Sequence, residues 1–172
     1  NIFIKTFYNC KNLKYVCLPQ ELMYILNDAF NGCSNITSLK LGNKLETIGS
    51  GAFTGCATLM NVYSTNLTPP TGVVFDNKTY LQGTLYVVKG SKAAYEAADG
   101  WKEFWEIIDN LPFEVNGIWY NIDEYGNTKA VMNPSGDAYS GAISIPATIE
   151  YDGKVYPVTA IDAEAFANAI NV

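Results

Sequence analysis

The chain has no histidine and no arginine among its 172 residues, and its 11 basic residues are all lysines. Without histidine, a Cys-His nucleophile cannot be assembled within it. Lysines are also outnumbered by 17 acidic residues, which leaves a formal net charge of -6 and a pI near 4.5. Nucleic-acid binding needs clustered cations to displace the counterions of the phosphate backbone, and no basic patch is visible, so that partner class is excluded. No run of 18 apolar residues occurs, so nothing here spans a bilayer as a helix. The first residues carry neither a basic segment nor a small-residue cleavage site, and an export signal or anchor is expected outside this sequence. Cysteine is sparse: Cys10, Cys17, Cys33 and Cys56 make no CxxC pair and no metal-ligand spacing. The oxygen-rich stretches DNKT (76–79) and DEYGN (123–127) lack the alternating ladder and distal Glu of a calcium loop and read as turns. No phosphate-cradling loop is present. These absences predict neither a cofactor nor an enzyme.

What the chain does have is a folded composition, 48% hydrophobic and 16% charged, rich in tyrosine (12 residues), asparagine and threonine. That balance suits an extracellular bacterial surface protein. An internal repeat organises its first half. FYNCKNLKYVCLP (7–19), FNGCSNITSLKLG (30–42) and FTGCATLMNVYST (53–65) align without a gap at a period of 23 residues. Phe7, Phe30 and Phe53 share one column, Cys10, Cys33 and Cys56 another. Leu13, Ile36 and Leu59 make a third, Val16, Leu39 and Val62 a fourth, and Ile25 and Ile48 recur between them. A fourth rung, GTLYVVKG, keeps the strand register although its preceding loop differs.

A period this long fits one supersecondary turn per repeat, each burying its apolar face only against its neighbours. The L-x-x-[LV]-x-L segments read as short strands with alternate residues turned inward, stacked as a parallel sheet. Val16, Leu18, Leu39, Leu41, Val62, Leu85 and Val87 are expected inside. Tyr15, Cys17, Ser38, Lys40, Asn61, Tyr63, Thr84 and Tyr86 are expected outside, in two rows on one open face. The fold class is therefore a mostly β repeat solenoid with irregular and short helical turns.

ILNDAF and IGSGAF, each followed by x-G-C, together with the recurring Leu columns, resemble the BspA-like leucine-rich-repeat family. The resemblance covers most of residues 1–65. It implies a right-handed array whose members are cell-surface or secreted proteins of host-associated bacteria and some protozoa, used in adhesion. On this view the concave strand face contacts a protein or extracellular-matrix ligand. A glycan ligand for nutrient capture, and a purely structural spacer, are the alternatives.

Beyond Leu67, Pro69, Pro70 and Gly72 mark a loop. SKAAYEAADGWKEFWEII (91–108) then reads as a helical segment capped by Ser91, broken at Asp99-Gly100, with Tyr95, Trp101, Phe104, Trp105 and Ile108 available for burial. A solenoid exposes the apolar edge of its last rung, and this helical cap would cover it. Residues 84–105 also resemble the closing block of BspA-like arrays. The first domain is thus placed at 1–111. Residues 112–172 read as the β-rich N-terminal cap and first rung of a second, truncated repeat domain: strand-like FEVNGIWYNID, a turn at Tyr125-Gly126-Asn127, TKAVMN and SGAISIPATI. VTAIDAEAFANAINV (158–172) matches LMYILNDAFNGCSNI (22–36), pairing Val158 with Leu22, Ile161 with Ile25, Phe166 with Phe30, Ala169 with Cys33 and Val172 with Ile36. The insertion YDGKVYP lengthens its first turn. Both termini fall mid-unit, from which self-association through exposed solenoid ends is expected.

Against these expectations the reactive-looking residues have plain readings. The column cysteines are core residues, since free cysteine behaves as a small hydrophobe, and the outward Cys17 is adventitiously exposed. The carboxylates are solvated loop charges. Asn35, Asn66 and Asn77 begin N-x-[ST] triplets, which matter only in a eukaryotic secretory pathway. The aromatics carry the most interest. Tyr15, Tyr63 and Tyr86 lie in the outward rows, where rigid amphipathic side chains favour binding, and Trp101, Trp105, Trp119 and Tyr120 are either cap residues or sugar-stacking platforms.

Overall fold

The computed structural model describes residues 1–122, 127–131, 139, 142–151, 154–163 and 165–166, which divide into two compact units, Asn1–Leu111 and Pro112–Val172. The first unit repeats one short path. Strands β1 (Tyr15–Cys17), β3 (Ser38–Leu41), β5 (Asn61–Ser64), β6 (Thr84–Val88) and β7 (Glu106–Leu111) form a five-stranded parallel sheet in that order. The two-residue strands β2 (Tyr24–Ile25) and β4 (Thr47–Ile48) pair as a second parallel sheet, which a bridge from Ile2 to Ile25 and another from Thr47 to Thr71 extend. From β1 through β6 the register advances by the 23-residue period: Val16 faces Leu39, Leu39 faces Val62, and Val62 faces Leu85.

The turns between these strands obey the same stacking. Phe7 N–H donates to the Ala29 carbonyl (2.8 Å), Phe30 N–H to that of Ala52 (2.9 Å) and Gly32 N–H to that of Thr54 (2.8 Å). Irregular backbone is thereby satisfied by the next turn, which is what lets it pack against a core. Two positions per turn are left-handed, Lys5, Asp28 and Gly51 at one and Asn9, Gly32 and Gly55 at the other. Glycine, asparagine and aspartate tolerate that conformation best. Gly49 answers a different demand, for a Cβ there would lie 2.5 Å from the Asn27 nitrogen of the adjacent turn.

The inward set is buried as the alternation requires, with Leu39, Val62, Leu85 and Val87 fully enclosed. Ser64 occupies the slot held by Leu41 and Val87 in the neighbouring rungs, and it is also fully buried. Its Oγ lies 2.6 Å from the Tyr95 hydroxyl, which in turn donates to the Asn66 carbonyl (3.1 Å). The Asn66 amide donates to the carbonyls of Gly42 and Leu45. A closed network of this kind removes most of the desolvation cost of burying a hydroxyl. Burial drives the Tyr95 phenol far above its ordinary range, and the Ser64 contact opposes this only in part.

Phenylalanines at one column stack down the interior: Phe7 on Phe30 (4.9 Å between centroids), Phe30 on Phe53 (5.4 Å) and Phe53 on Phe75 (5.5 Å). The last step falls one residue short of the period. There the column ends against Tyr80, Trp101 and Phe104, each meeting Phe75 edge to face.

The end of this unit departs from the expected helical cap. Helix covers only α2 (Lys92–Ala97); a further six-residue helix, α1 (Asn77–Gln82), lies in the segment read as loop. Ser91 precedes α2 as expected, but its hydroxyl donates to the Val88 carbonyl (2.7 Å) and makes no cap. Gly100 is left-handed and ends any helical path, while the Trp101 indole N–H anchors the turn on the Pro70 carbonyl (2.7 Å). The following EIIDNL, which contains the β-branched pair Ile107 and Ile108, pairs with β6 as a fifth strand. Tyr95, Trp101 and Phe104 are buried as predicted. Trp105 is not: it immediately precedes β7 and is 84% exposed, and Ile108 is half-buried on the outward side.

The second unit is a five-stranded mixed sheet of β8 (Phe113–Val115), β9 (Ile118–Ile122), β10 (Thr128–Val131), β11 (Thr148–Tyr151) and β12 (Lys154–Ile161), in the order β11-β12-β10-β9-β8. Only the β10–β12 pair is parallel. FEVNGIWYNID is two strands, not one. Asn116 and Gly117 both take positive φ, the requirement of a two-residue hairpin turn whose twist matches its strands. Phe113 stacks on Tyr151 (3.7 Å), so the outermost strands of the sheet approach one another. The Tyr139 hydroxyl accepts from Trp119 N–H (2.9 Å) and donates to the Val131 carbonyl (2.8 Å). Trp119 and Tyr120 are buried. Ile161, the counterpart of Ile25, is 55% exposed because it pairs on one side with Ala130, whereas Ile25 has Ile2 and Ile48 on its two sides. Tyr125, Gly126, Met132, Asn133, Ser140, Gly141, Asp152, Gly153, Ala169 and Val172 lie outside the described residues.

Candidate functional site

Alternation in β1, β3, β5 and β6 turns Tyr15, Cys17, Ser38, Lys40, Asn61, Tyr63, Thr84 and Tyr86 away from the core. Tyr15 and Cys17 are exposed and the other six half-buried. The in-register pairing joins them into two rows, Tyr15-Ser38-Asn61-Thr84 and Cys17-Lys40-Tyr63-Tyr86. The fifth strand, which sequence reasoning took for helix, extends both rows by placing Glu106 beside Thr84 and Ile108 beside Tyr86. The signal for those two residues was the β-branched pair Ile107-Ile108, of which Ile108 is read from the sequence as cap packing.

Tyr63 and Tyr86 are directly opposite each other and their rings stack at 4.7 Å with an interplanar angle of 11°. Partial burial, with Tyr86 beside it, raises the Tyr63 phenol above its ordinary value, so both its packing and its protonated hydroxyl are set before any partner arrives. Each ring covers one face of the other. Beside them Thr84 Oγ1 donates to Glu106 Oε2 (2.8 Å), which orients that carboxylate on the outward surface. The surface thus combines a short apolar strip, Tyr63-Tyr86-Ile108, with a polar strip, Asn61-Thr84-Glu106. Neighbouring strands run about 4.8 Å apart, so each strip is roughly 10 Å long.

The other candidates resolve into structural parts. Cys33 and Cys56 are buried, and their thiols meet the carbonyls of Phe7 (2.9 Å) and Phe30 (3.4 Å) of the preceding turns. Burial raises both thiols, that of Cys56 to about 12, which makes them poor nucleophiles. Cys10 shares their column but is exposed. Asp76 accepts from Gly55 N–H (3.3 Å) and braces a turn; of DEYGN only Asn127 is among the described residues. Asn66 is buried and engaged, Asn35 donates to the Lys11 carbonyl (2.7 Å), and Asn77 begins α1. Trp101, Trp119 and Tyr120 are core residues with no ring face for a sugar; Trp105 alone of that group is open to solvent. Among the described residues no group of three or more potential ligands could hold a metal ion, and no helix is long and apolar enough to cross a membrane. Two wide, shallow grooves lie off this face, one lined by Met23, Leu45, Glu46 and Pro69, the other by Phe7, Cys10 and Leu13.

No curated protein and no solved structure matches the chain. A family model described as BspA type leucine rich repeat region matches in six copies across residues 1–84, the part in which the 23-residue register and the stacked strands occur. Residues 1–84 of this chain therefore belong to the BspA-type leucine-rich-repeat family.

Proposed function

We propose that the chain is a non-catalytic binding module of a cell-surface or secreted protein, and that the outward face of its five-stranded sheet contacts a protein partner, in adhesion or a related interaction. The observation that carries this reading is the stacked Tyr63–Tyr86 pair within two uninterrupted rows. Packed tyrosines lose little conformational freedom on binding, and such residues dominate protein contacts. A shallow surface without a water-excluding cleft suits a macromolecule better than a small substrate. The family's usual place in surface proteins favours the same reading. The test is a cell-surface protein array probed with the chain and with Tyr63→Ala/Tyr86→Ala. The double variant is expected to lose about tenfold or more in affinity, of the order seen for a central aromatic anchor. Its melting temperature should fall only by the few degrees that one aromatic pair is worth. Undiminished binding would rule out this face.

A second reading, glycan capture, has one observation in its favour. Trp105 is 84% exposed and offers the open aromatic face that the stacked tyrosines do not. Saturable binding on a glycan array that Trp105→Ala abolishes would establish it. Failure of both arrays would favour a structural spacer.

A further inference from the structure

Charge is unevenly spread over the outward face. On the three strands β5, β6 and β7 the outward residues are Asn61, Tyr63, Thr84, Tyr86, Glu106 and Ile108, and the single formal charge among them is negative. Glu106 is exposed, is fixed by Thr84 and takes part in none of the ion pairs formed among the described residues. Held by Thr84 at the surface, that carboxylate is oriented to meet a cation brought by a partner. It stands two residues along β7 from Ile108, about 7 Å at the usual rise of a strand, and next to the apolar strip.

We propose that this part of the face takes an extended segment of a partner protein carrying a lysine or arginine beside apolar residues, the cation against Glu106 and the apolar residues along Tyr63, Tyr86 and Ile108. The proposal rests on the reading of the sheet face as a contact surface. About three extended residues cover the roughly 10 Å from Tyr63 to Ile108, which leaves a basic side chain at the Ile108 end within reach of Glu106. A sugar is a poorer fit at this place because the ring faces of both tyrosines are turned along the row.

The test is selection from a random 12-residue peptide display library, run in parallel on the full chain and on Glu106→Lys. Wild type is expected to enrich sequences with Lys or Arg adjacent to Tyr, Leu, Ile or Val, and Glu106→Lys to enrich Asp or Glu at that place. A peptide selected on wild type should bind Glu106→Lys about two- to fivefold more weakly, the range for one exposed ion pair. Glu150→Lys makes the same change of net charge on an exposed residue of β11 and should leave affinity and preference as they were. Equal effects of the two variants, or selected sequences without a basic residue, overturn the proposal. So does a selection that enriches nothing, or a dimer of the free chain that Tyr86→Ala dissociates, which would give the face to a second copy. Where Tyr86→Ala weakens the selected peptides but Glu106→Lys does not alter preference, the contact face stands and the charge assignment falls. Where Tyr86→Ala has no effect, the face itself is wrong.

Discussion

Phe53→Ala is the most direct trial of the idea that the repeat is held by columns running along its length. Phe53 is fully buried and its ring lies between Phe30 at 5.4 Å and Phe75 at 5.5 Å. Truncating a buried phenylalanine costs about 3–5 kcal/mol through lost transfer free energy and the cavity left behind. The upper half of that range is expected here, because the neighbouring turns are tied backbone to backbone and cannot collapse into the gap: Phe30 N–H is held by the Ala52 carbonyl at 2.9 Å. Phe7 makes the same column on one side only and is 37% exposed. Phe7→Ala should therefore cost about 1–2 kcal/mol, a partly exposed side chain losing one stacking partner. Urea unfolding followed by circular dichroism measures both, with the buried Trp101 as a fluorescence reporter of the closing cluster. Against a total of about 5–15 kcal/mol for a domain, Phe53→Ala should still fold at low temperature. Equal costs for the two variants, or a cost below about 1 kcal/mol for Phe53→Ala, would refute the column argument.

Two further outcomes follow from the thiols. A thiol reagent applied to the native chain should modify Cys10 and Cys17 and spare Cys33 and Cys56, with all four reacting in denaturant; four reactive thiols in the native state would contradict the assigned burial. Stability should also fall on the alkaline side. The Cys56 thiol rises from about 9 to about 12 on folding. Between those values the unfolded chain has released a proton that the folded chain keeps, so stability decreases as pH rises, with a slope of at most about 1.4 kcal/mol per pH unit from this group. Cys56→Ala should flatten the pH 9–12 portion of the stability curve measured by urea midpoint, and an unchanged slope would remove Cys56 as the cause.

The strands of the first 88 residues were legible because in-register stacking writes each core position three or four times. Ile25, Phe30, Cys33, Ile36 and Leu39 recur 23 residues later as Ile48, Phe53, Cys56, Leu59 and Val62, and a column repeated at constant spacing has little else to mean. The legibility ends where the register slips. Phe75 continues the phenylalanine column one residue early and no periodic search finds it. From β6 to β7 the step is again one residue shorter, Thr84 facing Glu106, and the intervening lysines, alanines and tryptophans carry a helical signature for most of their length. Local propensity was right for Lys92–Ala97 and was overruled beyond Gly100, because the free edge of β6 offers backbone partners to any segment able to extend along it. The Asn116-Gly117 turn was a missed local signal of another kind, a hairpin marker inside what read as one long strand.

The same slip that hid β7 decides where the candidate face is richest. Along the first two strands, outward positions hold residues of mixed character: Tyr15, Cys17, Ser38 and Lys40. The Tyr63–Tyr86 stack rests on the pairing of β6 with β5, and the Thr84–Glu106 hydrogen bond and the place of Ile108 rest on its pairing with β7. An edge strand would leave Tyr86 with one neighbour and Glu106 with no fixed position. The closing strand therefore completes the core by setting Ile107 beside Leu85, and by the same pairing it finishes the outward surface. Inward residues on β7 answer to stability and outward ones do not, since Ile107 is buried at 7% exposure while Glu106 next to it is exposed. A substitution at Glu106 can accordingly change what the face recognises while the fold beneath it stays as it is, whereas one at Ile107 must disturb both.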